Sequence, residues 1–98
     1  MKILLEGPFR KNTRNIMRDL GYHFQGETID SGELMFTRPD RGYPRFHIYL
    51  REGEGKIMVN LHLDHKKPIY KNSVAHSAEY DGEIVESEGQ RIKLFSDK

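Results

Sequence analysis

Two stretches of the chain alternate apolar and polar positions without a break. In "YPRFHIYLR", Phe46, Ile48 and Leu50 share one parity, and His47, Tyr49 and Arg51 share the other. In "KIMVNLHLD", Ile57, Val59, Leu61 and Leu63 alternate with Met58, Asn60, His62 and Asp64. Successive side chains of a strand point to opposite faces, so each run predicts a strand with one buried face. "EGEG" between them has the glycines that a tight turn needs, and predicts a hairpin through a loop of two or four residues. "ELMFTR" predicts a further strand with Leu34 and Phe36 on one face. "RPDRG" then turns the chain, with Pro39 at the first central position.

Helical spacing occurs twice. Ile16, Met17 and Leu20 predict a helix that Thr13 caps and Gly21 stops, with Arg10, Lys11, Arg14 and Arg18 along a basic side. Near the C-terminus, Asp81 is the expected cap of a second helix with Ile84, Val85, Ile92 and Phe95 on its inner side. Gly89 weakens that helix but lets its backbone approach the sheet closely. "KILLE", closed by Gly7 and Pro8, reads as an edge strand or a tail, and "GYHFQGETIDSG" as a connector. "HKKPIYKNSVAHSAEY" has no period and is long for a plain connection, so it reads as a functional or poorly ordered loop.

The expected architecture is a single α+β domain over residues 1–98: helix, three-stranded antiparallel meander, helix, with a possible extra N-terminal strand. It is a two-layer sandwich in which both helices cover the Phe46/Leu61 side and the other sheet face stays free.

Composition narrows the chemistry. A chain of 98 residues, 36% hydrophobic and 32% charged, supports one thin core and no second domain. It has no cysteine, so a disulfide framework and a thiolate zinc site are both excluded, and any metal would need histidine and carboxylate ligands. "MKILLEGPFR" lacks the long apolar region of a signal peptide, and no stretch is long enough to span a bilayer, which predicts a cytoplasmic protein without membrane contact. The net charge of +1 conceals a division: residues 1–71 hold 13 Lys+Arg against 9 Asp+Glu, and residues 72–98 hold 3 against 6. That mild basic bias permits phosphate contacts but is far from the strong stripe of a dedicated nucleic-acid binder.

If the turn has two residues, Glu54 and Gly55, His47 lies opposite His62, Arg45 opposite Asp64 and Tyr49 opposite Asn60; a four-residue loop puts His47 opposite Asn60, and either register keeps these side chains together on the polar face. Three readings of this face stay open. As a nucleic-acid surface for RNA or single strands, it would use Arg45, His47, Tyr49, Arg51 and Asn60, with Lys66, Lys67 and Lys71 from the 65–81 loop. As a divalent-metal site, zinc for example, it would use His47, His62 and Asp64, with His76 or Glu79 as a further ligand or general base in metal-assisted hydrolysis. As an association surface it would join two copies in a homodimer. The leading expectation is a binding module rather than an enzyme, with nucleic acid as its ligand. Ser77 follows His76 directly and no nucleophile elbow surrounds it, which argues against serine hydrolysis.

Together "YPRFHIYL", "NLHLDHKKP" and "AHSAEYDG" resemble a family of small, uncharacterised prokaryotic proteins, from about Thr13 onward. The resemblance implies that the three blocks belong to one structural unit and implies no activity. The expected layout is also similar in topology to double-stranded-RNA-binding domains and to small ribonuclease toxins. The lysine cluster of the former is replaced here by the acidic "YDGEIVESEG", and the Gly-Ser-His of the latter by "DSGELMF". Neither mechanism carries over on topology alone.

Overall fold

The computed structural model describes residues 1–65, 78–79 and 82–95 of the chain. Its elements run β1 (Lys2–Glu6), α1 (Thr13–Asp19), β2 (His23–Glu27), β3 (Leu34–Arg38), β4 (Arg45–Gly53), β5 (Lys56–Asp64), β6 (Ala78–Glu79) and α2 (Glu83–Lys93). The mixed α+β class holds, but the three-stranded meander is only the middle of a larger sheet. Strands β1 and β2 extend it at either side in the order β1-β5-β4-β3-β2, and the two-residue β6 also pairs with β5. All the pairings are antiparallel.

Tertiary pairing explains both additions. "KILLE" is too short to declare itself, yet Ile3 pairs with Val59 and Leu5 with Ile57, so its apolar parity continues the buried face of β5. The supposed connector contains a strand over His23–Glu27. Only Phe24 shows the parity, its ring edge-on to Phe36 at 5.4 Å, because the register then shifts at a bulge before Gly26.

Both helices lie on the face carrying Phe36, Ile48, Leu50, Val59 and Leu61. Ile16, Met17 and Leu20 at one end and Val85 and Ile92 at the other join that face in one buried cluster. The cap of α1 is Asn12 and not Thr13: Asn12 Oδ1 accepts from the Asn15 N–H at 2.9 Å. Thr13 is instead the buried first residue of the helix, and its hydroxyl donates to Glu52 at 2.6 Å. Gly21 ends the helix as expected. At φ 93° it lets its own N–H reach Arg18 O and the Tyr22 N–H reach Met17 O, the paired bonds of a Schellman motif.

Gly82 occupies the cap position of α2 and gives no side-chain cap, while Asp81 lies outside the described residues. The inner stripe is Val85, Glu88, Gly89 and Ile92, spaced by three and four, which turns Ile84 outward and leaves it 55% exposed against expectation. Phe95 packs against the core as expected. A Cβ on Gly89 would collide with Met1 Sδ and come within 3.5 Å of Ile3 Cδ1, so the close approach expected of this glycine is made to β1.

The second sheet face is not bare either. Thr37 and His62 are buried on it. Among the described residues, no helix is long and apolar enough to cross a membrane.

Candidate functional site

The site rests on the longest ladder of the sheet. Strands β4 and β5 turn at Glu54 and Gly55, with Gly53 opposite Lys56 and a φ of 65° at Gly55. The register then places Arg45 opposite Asp64, His47 opposite His62 and Tyr49 opposite Asn60, which selects the two-residue turn over the four-residue loop that the sequence also allows. Strand β3 adds Thr37 opposite His47, so a buried hydroxyl-bearing residue ends the row Thr37, His47, His62 on the inner part of the face. These residues stand on three central or near-central strands, a rigid support for a constellation of side chains.

Two imidazoles converge on one carboxylate. His47 Nδ1 lies 3.4 Å from Asp64 Oδ2, and His62 Nε2 lies 3.1 Å from Asp64 Oδ1. Ligand atoms offered by His47, His62 and Asp64 all lie within 4.8 Å of one another. The ring centroids of the histidines are 4.8 Å apart, and Tyr49 stacks on His47 at 4.6 Å and on His62 at 5.7 Å. Arg45 closes the outer side, its Nε 3.5 Å from Asp64 Oδ2 and its Cζ 4.6 Å from the Tyr43 ring centroid.

Burial decides the charge of the group. His62 is 5% exposed, and His47 Nε2 is buried with no hydrogen-bond partner among the described residues. Burial pushes both imidazoles below the ordinary value of 6.5, and the pull of Asp64 in the other direction does not reverse it. Arg45 adds to the lowering at His47; His47 and the amino group of Met1 add to it at His62. Both rings are therefore neutral at pH 7, each with one N–H and one lone pair.

Among the described residues of the nucleic-acid reading, the arginines and the tyrosine have nearer partners. Arg45 faces Asp64, Arg51 Nε lies 3.3 Å from Glu33, and Tyr49 is taken up by the two imidazoles. Asn60 is half-buried between Tyr49 and Lys2 on the ladder. Lys66, Lys67, Lys71 and His76 lie outside the described residues. Glu79 is described by its backbone, in β6 opposite Leu63, which brings that segment to the Asp64 end of β5.

Sequence reasoning passed over Thr37, Glu33 and Tyr43. Thr37 was recoverable from the Leu34/Phe36 parity, which puts it on the polar face; the other two are side-chain partners that no spacing announces. Comparison with protein families, with curated proteins and with solved structures returns no match. The functional reading therefore stands on this geometry.

Proposed function

We propose that the protein binds a divalent metal ion of the zinc type through His47, His62 and Asp64. One observation carries the reading: two neutral imidazoles reach the two oxygens of one carboxylate at 3.4 and 3.1 Å. A four-coordinate ion with bonds of about 2.0–2.1 Å holds neighbouring ligand atoms about 3.3–3.5 Å apart, close to both histidine–carboxylate spacings, while the full set, spread over 4.8 Å, closes further around an ion. Neutral histidine nitrogen with carboxylate oxygen is also a donor set that zinc accepts, and three protein ligands leave a position for an exchangeable fourth. In the empty state each ring places its N–H against Asp64. An ion takes those positions when the rings adopt the other tautomer, which turns their lone pairs inward.

The nucleic-acid reading has a weaker footing, because its two described cations, Arg45 and Arg51, face carboxylates and its one aromatic on this face is stacked on histidine. Bases and phosphates would have to displace those contacts first.

The test is calorimetric titration of tag-free, chelator-treated protein with zinc, manganese and nickel. Saturable binding of one equivalent is expected, with a rise in Tm matching the roughly 2.7 kcal/mol that a ligand at a hundred times its Kd contributes. His62→Gln and Asp64→Asn should each abolish the rise. The reading is wrong if none of the ions binds or stabilises the native protein.

A further inference from the structure

Arg45 is a cation at the rim of a cluster read as a cation site. Its Nε sits 3.5 Å from Asp64 Oδ2, the same oxygen that His47 approaches. Its guanidinium carbon lies 4.6 Å from the Tyr43 ring centroid, within cation–π range. Its two Nη groups have no hydrogen-bond partner among the described residues. A guanidinium so placed opposes an incoming metal ion unless a third party carries the excess charge.

Charge balance identifies that third party. In the empty cluster Arg45 and Asp64 cancel, and an ion binds histidine in its neutral form. A divalent ion therefore leaves an excess of two positive charges in a half-buried place where water screens them poorly. A monoanion relieves half of that excess and a dianion relieves all of it. The dianion must also present several oxygens, one for the open position of the ion and others for the forked N–H groups of arginine.

Resting on the metal reading above, we propose that the loaded site takes a dianionic phosphate, free or as a monoester, bridged between the ion and Arg45. Arg45 then exchanges Asp64 for the phosphate while the Tyr43 ring keeps its guanidinium in place. Asp64, released from arginine, gives its charge to the ion.

The experiment uses full-length protein loaded with one equivalent of zinc, freed of excess metal and titrated with inorganic phosphate, with dimethyl phosphate and acetate as singly charged probes. Phosphate should bind at least roughly tenfold more tightly than either, since only it matches both charge and fork. Arg45→Gln should remove that preference while zinc still binds, and Arg45→Lys should restore part of it through charge without the fork. Zinc binding with equal or no affinity for the three anions overturns the phosphate proposal and leaves the metal site intact. Failure of zinc to bind overturns both. Phosphate preference that survives in Arg45→Gln also overturns it, because the selectivity would then lie elsewhere.

Discussion

At the scale of single residues, the site is defined by which protons are missing. His47 and His62 both titrate below 6.5 in the folded chain, chiefly because burial disfavours the charged ring. In the unfolded chain they return to ordinary values, so between the two values the unfolded state binds more protons. Stability from this source is complete above about pH 6.5 and is lost as the pH falls from there toward the lowered folded values. Metal-free protein kept in chelator should accordingly lose Tm steadily from pH 7 to pH 5. His47→Gln combined with His62→Gln should flatten that limb. A Tm that is level across the interval in the native protein would show that the rings are not held neutral by burial. The shared face of these residues was legible in the sequence from alternation, while their direct pairing followed only once the turn proved to have two residues. Their burial was not legible, because it depends on the stacking of Tyr49 and the return of Asp64 toward both rings, which are properties of packed side chains.

At the scale of elements, what could be read depended on whether an element carries its own pattern. Strands β4 and β5 do, and their shared faces were predictable, with the register narrowed to two pairings that differ by two residues. Strand β1 is five residues long and takes its place from Val59 and Ile57, and β2 is an exposed edge strand with a bulge, so neither repeats a pattern long enough to recognise. Helix ends fall between these cases. The glycine stop of α1 was plain, but the choice between Asn12 and Thr13 as cap turns on one hydrogen bond. Gly21 gives this level its test. Its φ of 93° lies where a side chain is strained, and a Cβ there would come within 3.1 Å of Arg38 Cδ. Gly21→Ala should cost about 1–2 kcal/mol in urea unfolding. Gly53→Ala is the contrast, since its Cβ meets nothing within 4 Å and its φ is unstrained. It should be neutral or gain up to about 1 kcal/mol by restricting the unfolded chain. Equal effects at the two positions would contradict the Schellman ending of α1.

At the scale of the molecule, one buried carboxylate ties the helical layer to the sheet. Glu88 in α2 is 4% exposed, yet it accepts from Tyr22 Oη at 2.6 Å, from Arg38 Nη2 at 2.9 Å and from Arg91 Nε at 2.8 Å. Arg91 also donates to Leu20 O at 2.6 Å, so the network joins α2, β3 and the end of α1. Nothing in "EIVESEG" marks Glu88 apart from its acidic neighbours, and its partners Arg38 and Tyr22 stand 50 and 66 positions away. Burial alone would raise its carboxyl, but the bonds from Arg91, Arg38 and Tyr22 outweigh that and hold it below the ordinary 4.5. The sign is then opposite in cause but alike in direction to the histidines: stability is present above about pH 4.5 and is lost as the pH falls through the lowered folded value. Removing the charge leaves two arginines facing each other without their counter-ion. A broken buried pair costs about 3–5 kcal/mol, and because Arg38 and Arg91 keep partial access to water, Glu88→Gln should cost less than that, about 2–3 kcal/mol. Tyr22→Phe removes one hydrogen bond and should cost about 1–1.5 kcal/mol. Glu88→Gln should also erase the acid limb below pH 4.5 while leaving the histidine limb above pH 5 in place. Chemical unfolding of both variants at pH 7, followed by acid titration, checks the order and the separation. Equal losses, or an acid limb that persists without Glu88, would mean that the network does not join the two layers as a unit.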